Sequence, residues 1–152
     1  MIRDASDRDW PLAKSLYIEA ARATHPGSTE QERERHVEQR KTRWLEATLR
    51  LLALRDGRPA GLIWLVRDRA EPRGQYVQLV AVERWARRKG LARLLLREAV
   101  RRAGGTVRAG IHPDNASSLA LFAGEGFVTE AVTPGLIFVR REACGAAGRA
   151  SA

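Results

Sequence analysis

The sequence predicts a single α/β (α+β) domain, with one mixed, mostly antiparallel sheet of six to seven strands flanked by about four helices. Three observations carry that prediction. The chain has 152 residues, 44% of them hydrophobic, enough to bury one core and short for two. Its apolar periodicity is helical over 8–23 and 91–103, while 48–54, 60–66 and 75–82 have the composition and turn boundaries of strands. Finally, the helix 91–103 lies between strands 75–82 and 106–111, a crossover that makes those two strands parallel, while hairpins make other neighbours antiparallel.

Ile2-Arg3 opens the chain as a short apolar strand. Asp7 or Asp9 then caps a helix over 8–23, which repeats Leu12, Leu16, Ala20 and Ala21 on one face and tolerates Pro11 in its first turn. His25-Pro26-Gly27 ends it. Ser28 with Gln31 resembles a capping box, and the segment it opens runs to Ala47, dense in charge, with only Val37, Trp44 and Leu45 large and apolar. A mostly solvated, loosely held helix is expected there, serving as a mobile wall rather than as core. Strands 48–54 and 60–66 flank Asp56-Gly57, a strong hairpin signal. Glu71-Pro72-Arg73-Gly74 turns the chain into 75–82, whose β-branched and aromatic residues read as a third consecutive strand. The helix 91–103 puts Leu91, Leu94, Leu95, Ala99 and Ala103 inward and Arg93, Arg97, Arg101 and Arg102 outward, and Gly104-Gly105 stops it. After the strand 106–111, Asp114 or Asn115 caps a short helix ending near Gly124, and 127–132 and 136–141 close the fold around Pro134-Gly135. The domain is expected to span 1–142, and the Ala/Gly/Ser-rich stretch 143–152 to be a disordered tail.

Composition excludes several classes. No apolar run reaches eighteen residues, and Asp4, Asp7 and Asp9 stand where a signal peptide would be apolar, so a cytoplasmic protein without a membrane partner is expected. Cys144 is the single cysteine and His25, His36 and His112 are the only histidines, so neither a disulfide framework nor a metal centre is expected. Of the tryptophans, Trp64 reads as core, Trp10 and Trp44 as anchors of their helices, and Trp85 as an exposed ring in a loop.

The net charge is +9, and every basic residue except Lys14, Lys41 and Lys89 is arginine. Most of the excess lies between Arg84 and Arg102, where Glu98 is the one acid. Arg87-Arg88-Lys89 immediately precede Gly90, where the helix begins. A helix N-terminus disfavours neighbouring cations by roughly 0.3–1 kcal/mol, and a bound anion reverses that cost, with Gly90 and Ala92 keeping side chains out of its path. No triphosphatase P-loop is present, and Gly124-x-Gly126 lacks the third glycine of a dinucleotide fingerprint.

Arg87-x-x-Gly90-x-Ala92, following a strand that ends in Val82, resembles the acetyl-CoA signature of the GCN5-related N-acetyltransferases, the GNAT family. Asn115 to Phe127, in which an Asn caps a helix ending in a Gly-Phe turn, is similar to that family's second marker. The resemblance covers residues 2–141 and implies the family's twisted sheet, acetyl-CoA as cosubstrate and no metal. It implies that the amides of Arg88, Lys89, Gly90, Leu91, Ala92 and Arg93, in the loop opened by Arg87, hold the pyrophosphate. It further implies that Val80, Ala81 and Val82 offer backbone groups to the pantetheine arm, that Asn115 reaches the same arm, and that an N–H near Val82 stabilises the oxyanion. Two departures stand out. Phe122 occupies the position of the tyrosine that many members use as general acid, and is expected only to pack against the cofactor arm. On the fourth strand Tyr76 and Gln78 replace the Glu or His of members that use a general base, leaving Tyr76 as the candidate proton donor or relay and Gln78 to orient substrate. His112 is a further candidate.

The function implied is acetyl-CoA-dependent N-acetylation of a primary amine on a small molecule or protein. The acceptor is set by residues 20–47 and the closing hairpin. A CoA-binding regulatory module with weak turnover, or a member acetylating aminoacyl-tRNA, are the alternatives; basic residues without aromatic interleaving argue against nucleic acid. The sequence leaves a homodimer open.

Overall fold

The computed structural model describes residues 1–143; the tail named above lies, from Cys144 onward, outside them. Seven strands form one sheet in the order β1-β2-β3-β4-β5-β7-β6: β1 (Ile2–Asp4), β2 (Leu49–Arg55), β3 (Arg58–Arg67), β4 (Gln75–Val82), β5 (Val107–Ile111), β6 (Val128–Val132) and β7 (Ile137–Arg141). Every pairing is antiparallel except β4 with β5, because the helix α4 (Leu91–Ala103) crosses over between them. The other helices are α1 (Trp10–Thr24), α2 (Glu30–Glu38), α3 (Lys41–Leu45) and α5 (Ala116–Gly124).

The central strands are buried on both faces, which is why β3 reads as an unbroken apolar run. Leu51, Ile63, Leu65 and Val77 pack on the α4/α5 face with Leu95, Leu96 and Ala99. Leu52, Leu62, Trp64 and Leu79 pack on the opposite face with Trp10, Leu16, Val37 and Trp44. There Trp64 meets Trp44 edge-on at 5.3 Å and Trp10 at 6.1 Å, the anchoring expected of the three rings.

Four local expectations are corrected. The segment 29–47 is two helices rather than one, and Val37 and Trp44 are both fully buried, so few apolar residues suffice to bind it to the core. Its capping box is Thr29 with Glu32, one residue later than expected, because Thr29 is the last extended residue before the helix. Asp9 holds the N-cap position of α1 but makes no side-chain cap there; Ser6 caps the 3-10 turn that leads into α1, and the Asp9 carboxylate completes that box from its far side. On α4, Leu96 faces the core and Leu94 is about half exposed.

The Asp56-Gly57 hairpin forms as expected, with both residues at positive φ as a type I′ turn requires.

Candidate active site

The two parallel strands are joined only at Gln75 opposite Val107 and Tyr76 opposite Arg108. Beyond that point they separate. On its other edge β4 follows β3, but Leu65 opposes Val77 and Trp64 opposes Leu79, so Gln78 is the extra residue of a bulge, and a bulge bends its strand. The β5 strand meanwhile keeps full register with β7. Because the Glu83 N–H donates to Ala60 O on β3, alternation turns the N–H and C=O groups of Val80 and Val82 toward the gap. The gap is a cleft of about 1140 Å³, walled on one side by Leu16, Ala20 and Ala23 of α1, apolar side chains at helical spacing.

At its wide end the chain makes a 3-10 turn (Arg84–Ala86) and enters α4 through Arg88 and Gly90, both at positive φ. Gly90 holds the N-cap position with no side-chain cap and no acid in the first turn. The first helical N–H with an intrahelical acceptor is that of Leu94, to Gly90 O at 3.0 Å, so those of Leu91, Ala92 and Arg93 are unpaired within the helix. A Cβ at Gly90 would meet nothing within 4 Å; glycine serves the left-handed backbone there and leaves the approach open. Unpaired amides, an uncompensated helix dipole and a clear path make an anion site that fits the phosphates of the implied cofactor.

Val80, Ala81, Val82, Arg87, Arg88, Gly90, Leu91, Ala92, Arg93 and Asn115 all line this cleft. Asn115 Oδ1 caps α5, accepting from Ser118 N at 3.2 Å and Ser117 Oγ at 3.1 Å, which leaves its NH2 group for a ligand. Four predicted residues do not line the cleft. Lys89 is exposed beside it. Phe122 is buried in the core, edge-on to Phe127 at 4.9 Å, and so packs against protein rather than against a cofactor arm. Tyr76 stands at the closed end, where the strands are still paired; its hydroxyl lies so near the β5 backbone that a Cβ on Gly110 would be 2.5 Å from it. Burial pushes the phenol above its ordinary range, partly opposed by the Gly110 hydrogen bond. Gln78 donates to the Tyr17 hydroxyl at 2.9 Å and accepts from Arg43 at 3.3 Å.

The family model for the Acetyltransferase (GNAT) family matches residues 12–127, which span α1 to the Gly-Phe turn and contain every wall of the cleft. The chain belongs to the Acetyltransferase (GNAT) family. Its seven-stranded GNAT sheet superposes on the PaiA N-acetyltransferase of Thermoplasma acidophilum, solved in complex with coenzyme A, with a TM-score of 0.76 at 17% identity over 93% of this chain and 98% of that one. The ribosomal-protein-alanine N-acetyltransferase of Brucella melitensis gives 0.68 at 24% over 93% and 99%. YncA of Salmonella typhimurium, a putative acetyltransferase solved with acetyl-CoA, gives 0.68 at 24% over 93% and 92%. No curated protein sequence matches significantly. As a GNAT protein the chain is an acetyl-CoA-dependent N-acetyltransferase.

Sequence reasoning missed the contribution of α1 to this GNAT site. Glu19 accepts from Arg84 Nε at 3.1 Å and Arg87 Nη2 at 3.0 Å, and Tyr17 reaches the bulge. The pair Ala20 and Ala23, one turn beyond Leu16, was the available signal, since small residues on one helix face mark a close approach or a void. His112 lines the cleft with its Nδ1 accepting from Asp114 N at 3.2 Å, which places the proton of the neutral ring on Nε2. Its ring meets His25 edge-on at 6.3 Å. Trp85 is exposed as expected, but Arg58 lies over its ring at 4.3 Å, away from the cleft lining.

Proposed function

We propose that this GNAT protein acetylates a primary amine, borne by a small molecule or a protein, by direct attack on the thioester of acetyl-CoA held between β4 and β5. The observation that carries the reading is the β4–β5 gap opening onto the uncapped α4 amides. The amides of Arg88 to Arg93, Lys89 included, would hold the pyrophosphate, while Val80, Ala81, Val82 and the Asn115 NH2 group hold the arm.

A neutral amine forms the new C–N bond as the C–S bond breaks; its nitrogen gives up one proton and the CoA thiolate takes one. The gap-facing N–H groups of Val80 and Val82 are the donors for the developing oxyanion. Gln78, fixed by Tyr17 and Arg43, would orient the acceptor at the inner end, and Tyr76 would close that end as a positioning residue. Acetyl-CoA turnover against a panel of polyamines, amino-acid amides and N-terminal peptides, read as free thiol and product mass, tests the reading. Binding of CoA without turnover of any amine would favour a regulatory module, which the absence of a tyrosine from the cleft wall supports. Steeply salt-dependent tRNA binding would favour an aminoacyl-tRNA acceptor.

A further inference from the structure

Five arginines line the cleft, Arg22, Arg84, Arg87, Arg88 and Arg93, and only two acids, Glu19 and Asp114. Glu19 is not spread along this basic wall as a solvated counter-charge. One oxygen of its carboxylate takes hydrogen bonds from Arg84 at 3.1 Å and Arg87 at 3.0 Å, and its side chain is only 23% exposed. The Arg87 Nε is held by Val82 O at 3.1 Å. The two guanidinium groups on the turn into the amide loop therefore share one counter-charge, a carboxylate carried on another element, α1, which is itself a wall of the cleft.

We propose that Glu19 is an internal counter-anion that latches α1 to the anion loop in the free protein and that the phosphates of CoA displace. The inference rests on the cofactor reading above. Phosphate oxygens bear more charge than one carboxylate and match a guanidinium fork equally well, so a bound phosphate takes over Arg84 and Arg87. It also repels Glu19 from their vicinity. The first half of α1 stays fixed, because Trp10, Ala13 and Leu16 are buried in the core. Release is confined to the outer side of Glu19–Thr24, where Arg22 and Ala23 are exposed while Ala21 stays buried, and the Arg22–Glu30 pair at 2.8 Å ties the segment to α2. Cofactor binding thereby loosens this wall of the cleft.

The test is calorimetric titration of CoA into wild type and Glu19→Gln, with hydrogen exchange over 19–24 as a second readout on both proteins. Exposed ion pairs compete weakly, so Glu19→Gln is expected to bind CoA about two- to fivefold tighter, up to about 1 kcal/mol. Exchange over 19–24 should rise in the wild type when CoA is added and should already be fast in free Glu19→Gln. Unchanged or weaker CoA binding by Glu19→Gln, or exchange over 19–24 that slows with CoA, overturns the latch. A wild type that does not bind CoA overturns the cofactor reading itself.

Discussion

Replacing Gly90 with aspartate puts the anion site to its most direct test. Gly90 has φ +75°, and a side chain there meets no neighbour within 4 Å, so the fold has room for the substitution. Its cost is conformational, roughly 1–2 kcal/mol for an L-residue in the left-handed region and less for aspartate, which visits that region more readily. A negative charge at the start of α4 returns roughly 0.3–1 kcal/mol. Gly90→Asp should therefore melt within a few degrees of wild type. Ligand binding is another matter. At a hundredfold excess over Kd, CoA stabilises the folded state by about 2.7 kcal/mol, about 5–11 °C in Tm at 2–4 °C per kcal/mol for a chain near this size. The new carboxylate stands against the amides of Leu91, Ala92 and Arg93 and repels the phosphates, so that increment should vanish in a thermal melt with CoA. Gly90→Ala carries the same backbone cost without charge and should keep most of it. A Gly90→Asp protein that folds and retains the full CoA-dependent rise would show that the phosphates bind elsewhere.

Other expectations concern the core, the predicted proton donors and pH. Trp44→Ala removes a fully buried ring packed on Trp10 and Trp64 and should cost about 3–5 kcal/mol in a denaturant titration. Amides of α3 should be protected in exchange with or without an acceptor amine; fast exchange there would restore the mobile-wall expectation. Phe122→Tyr buries a hydroxyl beside Phe127 and should lower stability by about 1–3 kcal/mol while leaving CoA affinity near wild type; a gain in turnover would mean the ring does face the thioester. Tyr76→Phe should reduce turnover less than about threefold, against the 10²–10⁴ of a general acid or base. Hydrogen bonds from Arg22 and Arg33 hold the Glu30 carboxyl at about 2, below its ordinary 4.5. A depressed value in the folded state means that the pairing stabilises above the unfolded value and is lost as pH falls through the folded one. Protection at the α1–α2 corner, taken relative to the intrinsic amide exchange rate at each pH, should then fall between about pH 4.5 and 2, and much less so in Glu30→Gln.

The order of the strands, the hairpin at Asp56-Gly57 and the bounds of β4 and α4 were legible because each depends on local chemistry: a turn that needs positive φ, a β-branched run, a helical repeat stopped by Gly104. Errors arose where several residues could serve one local role. Ser6, Asp7 and Asp9 are all competent caps, as are Ser28 and Thr29, and the choice falls to whichever is extended when the chain leaves the preceding element. Leu94 and Leu96 are likewise both acceptable to the repeat, and it is Leu96 that packs in the core beneath α4. The segment 29–47 looked loosely held because its apolar residues are few. Count alone does not measure burial, since Val37 on α2 and Trp44 on α3 are each fully buried.

The two ends of the candidate site differ in legibility for a physical reason. The anion end is built from consecutive residues whose backbone does the work, so Arg87-x-x-Gly90-x-Ala92 states its own geometry. The inner end is assembled from α1, α3 and β4, and there a residue's role depends on which neighbour reaches it first. Tyr76 and Gln78 sit two apart on one strand, the first expected to relay a proton and the second to orient substrate, yet Gly110, lacking a side chain, lets the Tyr76 hydroxyl settle on the β5 backbone, while the bulge carries Gln78 to Tyr17 and Arg43. Phe122 is subtler. Its position in the second motif says where the residue sits on α5 but not that Phe127, five residues on, supplies a better partner than the cleft. Without a hydroxyl to keep wet, the ring minimises exposed area and turns inward, and the same loss that removes the proton donor also removes the reason to face the ligand.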